Sequence, residues 1–253
     1  GLGAMGLAAF LAKNKIYYGD EVALDFVNTF FLMTNYYTLL ASNQIAKERG
    51  ESFFEFEKSD YANGKYFDKY LVKDWGPKTD KVKKLFSDYH VPTIEDWQRL
   101  KEMVAKYGLY NAYRQAVAPT GSISYVNDTT ASLQPIVSRV EARAEGMTGR
   151  VFYPANGLSN ETLPYYVSAY DLDQRKVIDT YAAAQEHVDQ GLAMTLFMRS
   201  TIPEGIYDWK DGDTDKMTTR DLTILRHYAY HQGIKSIYYI RTFTDDNLSL
   251  IHI

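Results

Sequence analysis

No cysteine occurs in the 253-residue sequence, which excludes a disulfide, a thiolate metal site and a thiol nucleophile within these residues. No apolar run approaches the roughly 20 residues that a helix needs to cross a bilayer. The small, apolar start is similar to a signal peptide, but Lys13 and Lys15 follow the apolar residues instead of preceding them. We therefore interpret this start as a buried helix, and we expect a cytoplasmic protein with no membrane partner.

An excess of positive charge is also lacking. The 28 lysines and arginines are outnumbered by 32 aspartates and glutamates, which leaves a net charge of −4. A groove for nucleic acid usually needs a basic face, and no block of lysine and arginine supplies one. We therefore do not expect polymer nucleic acid as a partner. The hydrophobic share of 45% is ordinary for a globular protein with a sizeable core.

Tyrosine, by contrast, is abundant, with 22 among the 253 residues. Most of these side chains are expected in the core or in interfaces, because a tyrosine covers much apolar area and needs only one partner for its hydroxyl. A tyrosine can also lose an electron and a proton together. The composition therefore leaves a redox role open for a few of them.

Apolar spacing predicts helices over most of the first 108 residues. Their predicted ranges are 2–13, 20–49, 80–89 and 94–107, with a loop-rich stretch at 53–75. The last of these helices is well bounded. Thr93 and Asp96 have the spacing of a capping box, and Gly108 is a typical C-terminal stop.

The pattern changes after residue 108. Short extended segments are predicted at 111–118, 139–144 and 150–153, and a helix at 173–190 that stops at Gly191. A strand at 192–198, a helix at 219–232 and a strand at 236–241 follow. Strand, helix and strand at this spacing form a βαβ unit, whose strands run parallel. The fold class is therefore predicted to be α/β.

A loop of small residues at 119–124 is the first candidate site. Gly121 lets the backbone approach a ligand closely, and Ser122 and Ser124 add hydroxyl donors. Backbone N–H groups in such a loop can surround an anion without any cationic side chain. The same residues are also typical of an ordinary turn, so the pattern leaves both interpretations open.

The adjacent Tyr238 and Tyr239 on the last predicted strand are the second candidate. Neighbouring strand residues point to opposite faces, so one ring is expected to face the core and the other to pack outward. Tyrosine is a good strand former, and spacing alone favours a purely structural role for the pair.

Metal sites are poorly supported. His227 and His231 share one helix face, but no glutamate of the zinc-protease pattern lies between them. We interpret that face as solvated. The acidic residues Asp208, Asp211, Asp213 and Asp215 lack the closing glutamate of a calcium-binding loop, so a surface loop is expected.

Several blocks, in order, resemble the catalytic subunit of class Ib ribonucleotide reductases. The run APTGSISY at 118–125 is similar to the substrate-phosphate loop of that family. The run DTYAAAQEHVDQGLAMTLF at 179–197 is similar to the following helix and barrel strand. Residues 200–222 and 233–246 resemble the C-terminal end of the same subunit. The N-terminal segments 1–19 and 40–70 also follow the family's order, so the resemblance covers residues 1–246.

The resemblance implies an α/β barrel of ten strands, built from two parallel five-stranded halves that run antiparallel to each other. Residues 1–246 correspond to its C-terminal portion, in which 1–108 are mainly helical and 109–246 are α/β. The implied activity is that of an oxidoreductase. It reduces ribonucleoside diphosphates to deoxyribonucleoside diphosphates with a protein radical, for DNA synthesis.

The resemblance also assigns roles to the two candidate sites. The substrate diphosphate is expected at the backbone N–H groups and at the hydroxyls of Thr120 and Ser122, within the segment formed by Pro119, Thr120, Gly121, Ser122 and Ile123. Tyr238 and Tyr239 match the stacked pair that passes the radical from the small subunit to the active-site cysteine. Here the resemblance overturns the structural interpretation of the pair.

The partners implied by the resemblance are a ribonucleoside diphosphate, a metal-containing small subunit that supplies the radical, a glutaredoxin- or thioredoxin-like reductant and a second copy of the full-length subunit. No cofactor and no metal is expected on this chain itself. Nucleotide effector sites are expected upstream of it.

The sequence departs from the family in its cysteines. The radical cysteine, in an Asn-x-Cys-x-Glu arrangement, and the redox-active cysteine pair are expected upstream of Gly1. Residues 247–253 do not resemble the family's cysteine-bearing tail. We therefore expect a fragment that is inactive alone. The alternative is a non-catalytic module that binds a nucleotide diphosphate or docks on the small subunit. A glycyl-radical enzyme is not favoured, because the Arg-Val-x-Gly-Tyr stretch is missing.

Overall fold

Eight α-helices and four β-strands lie in residues 1–144, 149–210 and 215–243, which are the parts of the chain that the computed structural model describes. The helices are α1 Leu7–Lys13, α2 Glu21–Arg49, α3 Asp68–Leu71, α4 Asp80–Leu85, α5 Ile94–Tyr107, α6 Gly121–Val126, α7 Gln174–Gln185 and α8 Thr219–His231. The strands are β1 Val140–Ala144, β2 Arg150–Pro154, β3 Met194–Arg199 and β4 Ile237–Phe243. Short 3-10 helices occupy Phe56–Lys58, Lys65–Phe67, Leu163–Tyr165 and Ala169–Asp171.

The chain divides into two compact units. Unit 1 contains residues 1–2, 25–116 and 186–190, and unit 2 contains residues 3–24, 117–185 and 191 onward. Both units are therefore assembled from segments that are distant in sequence. Among the described helices, none combines the length and the apolar character needed to span a membrane.

Unit 1 is organised around a core of aromatic and aliphatic side chains. Trp97 lies at its centre, and the ring of Tyr70 stacks on it at 3.9 Å between centroids and 7° between planes. The other buried members of this core are Leu32, Tyr36, Leu39, Phe56, Phe67, Leu100, Val104 and Leu109. Rings of this size bury much apolar surface, which stabilises the core.

Helix α5 supplies one side of this core and confirms its predicted boundaries. The Asp96 N–H donates to Thr93 Oγ1 at 3.4 Å, and the Thr93 N–H donates to the Asp96 carboxylate at 3.0 Å. These bonds satisfy N–H groups that the first turn of a helix leaves without intrahelical partners. Gly108, with a φ of 75°, ends the helix. The capping box predicted from the sequence is therefore present.

The capping carboxylate gives a pH-dependent prediction. Burial disfavours the charged form of Asp96, but hydrogen bonds from the Thr93 N–H and from His90 outweigh it and lower the Asp96 pKa below its ordinary 3.8. Because the folded pKa lies below the unfolded one, this stabilisation is present at neutral pH and is lost as pH falls through the folded-state pKa. We expect Asp96→Asn to destabilise the protein by about 1 kcal/mol at neutral pH.

Urea unfolding of Asp96→Asn and of the native protein, at neutral pH and again in acid below the ordinary aspartate pKa, measures this difference. The gap between the two unfolding free energies is expected to narrow in acid. The control is Asp80→Asn, because Asp80 begins α4 with a fully exposed side chain. If the difference in unfolding free energy between Asp96→Asn and the native protein stays constant with pH, the Asp96 carboxylate does not stabilise the fold through its charge.

Unit 2 contains both described sheets. Strands β1 and β2 form an antiparallel pair, and β3 and β4 form a parallel pair. Helix α8 lies between β3 and β4 in sequence, so the predicted βαβ unit is confirmed. Residues 194–198 of β3 are all buried, as expected for a strand covered on both faces. The α/β class is thus confirmed, and the described strands form open two-stranded sheets without a closed barrel.

Three predicted helices are shorter than expected. Helix α4 ends at Leu85 instead of residue 89, and the other two differences have tertiary causes. The first helix begins at Leu7 instead of residue 2, because Leu2 forms a parallel bridge with Gln115. Helix α7 ends at Gln185 instead of residue 190. The residues that follow it belong to unit 1, where His187 hydrogen-bonds with Tyr70 at 3.0 Å. Segment 111–118 contributes isolated bridges instead of a full strand.

Candidate functional site

The first candidate site is the turn that leads into α6. Thr120 has φ 47° and ψ 32°, in the left-handed region that a β-branched residue rarely adopts. Its Oγ1 accepts a hydrogen bond of 2.8 Å from the Ser132 N–H. This contact helps to hold a backbone conformation that carries strain, and such strain is often found at ligand-binding turns.

Several backbone N–H groups lie close together at the start of α6. Ser124 is the first residue of α6 whose N–H closes a helical bond, to the Thr120 carbonyl at 3.1 Å. The N–H groups of Gly121, Ser122 and Ile123 precede that bond and have no intrahelical acceptor. Gly121 is exposed, and a Cβ placed on it would meet no atom within 4 Å. The space beside Gly121 is therefore open to a ligand.

One expectation for the hydroxyl donors is wrong. Ser124 is buried, and its hydroxyl donates to the Gly121 carbonyl at 2.8 Å instead of facing a ligand. The sequence predicted a loop through residue 124, whereas the helix begins at Gly121 and turns Ser124 inward. Ser122 remains exposed. Thr120 uses its oxygen as an acceptor from Ser132, so its own hydroxyl hydrogen stays available for a ligand.

The second candidate site is the tyrosine pair on β4. The rings of Tyr238 and Tyr239 lie 4.1 Å apart between centroids, tilted by 57°. Their exposed fractions are 49% and 51%. The expectation that one ring faces the core and the other packs outward is therefore wrong. Both rings are half exposed and in contact with each other.

A register shift accounts for this arrangement. Ile237 pairs with Met194 and Tyr239 pairs with Thr195, so Tyr238 is an extra residue between two consecutive pairs. Such a bulge locally breaks the alternation of side chains and re-aims them. It explains how adjacent residues bring their rings together.

The pair is also coupled chemically. A hydrogen bond with Tyr239, together with the electrostatic effect of its phenol, raises the pKa of Tyr238 above its ordinary 10.0. The Tyr238 phenol is therefore protonated at physiological pH. Two phenols in ring contact, with their hydroxyls linked by a hydrogen bond, can exchange an electron and a proton.

The remaining sequence candidates are the two histidines of α8 and the acidic residues at 208–215. His227 and His231 are both exposed on α8, as expected. Across the described ranges, no cluster of three or more His, Asp or Glu side chains is placed to hold a metal ion. Asp208 pairs with Arg175. Asp211 and Asp213 lie outside the described residues, as does the segment 247–253.

Sequence reasoning missed a buried ionic contact in unit 1. The Asp189 carboxylate accepts the backbone N–H groups of Arg114 at 2.8 Å and Gln115 at 3.0 Å. The Arg114 guanidinium lies 3.3 Å from the same carboxylate and donates to Asn35 Oδ1 at 3.0 Å. The partners are about 75 residues apart in sequence, so no local signal could have identified them.

Similarity to known proteins extends over almost the whole chain. Residues 1–240 match a family model described as ribonucleotide reductase, barrel domain. The chain is 50% identical over 242 residues to the ribonucleoside-diphosphate reductase NrdEB subunit alpha of Bacillus subtilis strain 168. That alignment covers 96% of this chain and 21% of the relative.

Two further relatives show the same pattern. The ribonucleoside-diphosphate reductase subunit alpha of Bacillus subtilis strain 168 is 48% identical, with 96% of this chain and 32% of the relative covered. The corresponding subunit of Mycoplasma pneumoniae is 46% identical, with 95% of this chain and 32% of the relative covered. The chain thus spans between a fifth and a third of the length of these relatives.

Proposed function

The chain belongs to the ribonucleotide reductase family, through its barrel domain, and we propose that it forms the C-terminal portion of the catalytic subunit of a class Ib enzyme. The family expected from the sequence is thereby confirmed. The observation that carries the proposal is the match of residues 1–240 to this barrel domain. The proposed whole enzyme uses a protein radical to reduce ribonucleoside diphosphates to deoxyribonucleoside diphosphates, in the cytoplasm.

Within that enzyme, β3 and β4 would supply two parallel strands of the ten-stranded barrel, and α8 would connect them. The chain contains no cysteine, so it has no thiol that could become the radical that activates the ribose. We propose that these 253 residues take part in turnover only together with the rest of the subunit. The radical would come from a metal-containing small subunit, and the reducing equivalents from a glutaredoxin- or thioredoxin-like protein. The full-length subunit is proposed to be a homodimer.

The proposed diphosphate site is the start of α6. Phosphate oxygens would accept hydrogen bonds from the N–H groups of Gly121, Ser122 and Ile123, and the helix dipole favours negative charge at this position. The hydroxyls of Thr120 and Ser122 add neutral donors. Pro119 has no N–H and fixes its own φ, which restricts the backbone just before the turn. No cationic side chain is required.

The proposed radical relay is the Tyr238–Tyr239 pair. A phenoxyl radical on one tyrosine takes an electron and the hydroxyl proton from the other, so the first becomes a phenol and the second becomes the radical. The ring contact of 4.1 Å supports this exchange. The electron ends on the radical-generating subunit, and the oxidising equivalent passes on to the cysteine in the remainder of the subunit.

Gly121→Ala in the complete subunit tests the diphosphate site. A Cβ at residue 121 meets open space in the protein, so we expect an unchanged unfolding curve. The same methyl group would stand between the backbone donors and a phosphate. Loss of one hydrogen bond to a charged group costs about 1.5–3 kcal/mol. Calorimetric titration with a ribonucleoside diphosphate should therefore show affinity reduced by about tenfold to a hundredfold.

The matched control is Asn127→Ala, which removes a side chain at the other end of α6. Asn127 bonds to the Ile123 carbonyl, not to the donors at the helix start. The Asn127→Ala variant should bind the diphosphate with the native affinity. If Gly121→Ala also binds with native affinity, the diphosphate does not lie at this turn.

A further inference from the structure

An unbroken series of aromatic contacts leads from the surface of unit 1 into its core. Tyr37 is 41% exposed, and its ring lies 5.2 Å from that of the buried Tyr36. Tyr36 lies 5.1 Å from Trp97, and Trp97 lies 3.9 Å from Tyr70, centroid to centroid. Each of these side chains can lose an electron to a strong one-electron oxidant. The series therefore connects solvent to a fully buried phenol.

The hydroxyl of Tyr70 meets an imidazole nitrogen, and the hydrogen bonds around it have a defined direction. Asn28 Nδ2 donates to the Trp75 carbonyl, which leaves Asn28 Oδ1 as the acceptor for His187 Nε2–H at 3.0 Å. His187 Nδ1 then carries a lone pair, which faces the Tyr70 hydroxyl at 3.0 Å. Asn35 Nδ2 donates to the Tyr70 oxygen at 2.9 Å, and the Tyr66 hydroxyl is a further hydrogen-bond partner of Tyr70. Of the groups around the Tyr70 hydroxyl, the imidazole nitrogen is the strongest base for its proton.

The imidazole is kept neutral by its surroundings. Burial, with further contributions from Lys69 and Lys73, lowers the pKa of His187 from 6.5 to about 3. At physiological pH, Nδ1 is therefore unprotonated. It can receive a proton from an oxidised phenol, which is a far stronger acid than the phenol itself.

The neighbouring aromatics lack such an acceptor. Within the described residues, the buried indole N–H of Trp97 has no hydrogen-bond partner, so an oxidised Trp97 would keep its proton. The Tyr66 hydroxyl donates to the amide oxygen of Asn35, which is a weak base. Tyr61 accepts a hydrogen bond from the Arg114 guanidinium, whose positive charge makes loss of an electron harder. Of these aromatic side chains, Tyr70 is therefore the one on which a radical is most stable.

We propose that Tyr70 and His187 form a redox site that takes up an oxidising equivalent from the protein surface through Tyr37, Tyr36 and Trp97. The oxidant is a one-electron acceptor at the surface, such as a protein radical or an oxidised metal complex. One electron leaves Tyr70 and passes outward along the series to the oxidant. The Tyr70 hydroxyl proton moves to His187 Nδ1, which leaves a neutral phenoxyl radical and an imidazolium. The site goes beyond the proposed reductase function and does not depend on it.

The test is oxidation of the full chain by photogenerated tris(bipyridine)ruthenium(III), followed by electron paramagnetic resonance. All samples carry Tyr238→Phe and Tyr239→Phe, so that the exposed pair contributes no signal. We expect a persistent tyrosyl signal, because solvent and other radicals cannot reach Tyr70. The signal should be lost in Tyr70→Phe, which removes the hydroxyl, and in Trp97→Phe, which interrupts the series but keeps the Tyr70 hydrogen bonds.

Trp75→Phe is the matched control, because Trp75 contacts Tyr70 and His187 but lies off the series. It should keep the persistent signal. His187→Gln should shorten the lifetime of the signal, because an amide does not retain the proton. Near-ultraviolet circular dichroism of each variant reports whether the core is intact. Absence of a persistent signal in the parent sample, or its survival in Trp97→Phe, would overturn the proposal even if Tyr70→Phe failed to fold.

Discussion

Tyr239→Phe in the complete reductase is expected to abolish deoxyribonucleotide formation while leaving ribonucleoside diphosphate binding at the native level. Phenylalanine keeps the ring, so the contact with Tyr238 persists, but it has no hydroxyl hydrogen to transfer. Radical transfer that depends on the exchange of an electron and a proton between two phenols then stops. Turnover should fall to the background of the assay, and Tyr238→Phe should have the same effect.

The measurement is product formation with the small subunit and a reductant, together with calorimetric titration of the diphosphate. Tyr230→Phe is the control, because Tyr230 is also an exposed tyrosine in unit 2, on α8, and its ring contacts that of His231. Its turnover should match the native enzyme. Substantial turnover by Tyr239→Phe would exclude the pair as an obligatory relay.

Asp189→Asn is expected to have the largest effect on stability. The Asp189 carboxylate faces the Arg114 guanidinium, and their side chains are only 7% and 3% exposed. Removing one partner of a buried ion pair leaves the other charge without compensation, which typically costs about 3–5 kcal/mol. The amide also presents an N–H₂ group to at least one of the two backbone N–H donors that the carboxylate accepts. Urea unfolding measures the loss.

The control for this prediction is the exposed pair of Lys58 and Glu55, whose side chains are 75% and 49% exposed. Solvent screens such a pair, so Glu55→Gln should cost no more than about 1 kcal/mol. The double variant Arg114→Met with Asp189→Asn should recover part of the loss, because it removes the unpaired buried charge. Equal, small effects of Asp189→Asn and Glu55→Gln would contradict the role of the buried pair.

Features of the fold that depend on residues close in sequence could be predicted. The capping box at Thr93 and Asp96 is made by residues three apart, so the start of α5 was predicted correctly. The alternation of a buried strand, a helix and a second strand likewise predicted the parallel pairing of β3 and β4. Asp20 accepts the Ala23 N–H at 2.7 Å and caps α2, which begins at Glu21, one residue after its predicted start. Local hydrogen bonds and hydrophobic periodicity are sufficient for such features.

The candidate site was only partly predictable. The residue types of the turn at 119–123 indicated an anion loop, and the resemblance gave the tyrosine pair its expected role. Neither showed that Thr120 adopts a left-handed conformation supported by Ser132, or that Ser124 turns inward. These features depend on where α6 begins and on a hydrogen bond across 12 residues.

The family, the α/β class and the identity of the candidate residues follow from the amino-acid sequence alone, because motifs and periodicity are properties of neighbouring residues. Tertiary structure was needed to bring the two tyrosine rings together, since the bulge at Tyr238 is defined only by pairing with β3. It was equally needed to end α7 at Gln185 and to place His187 against Tyr70, which is 117 residues away. Buried hydrogen bonds between distant segments satisfy polar groups that would otherwise be costly to bury, and these bonds override local helix propensity.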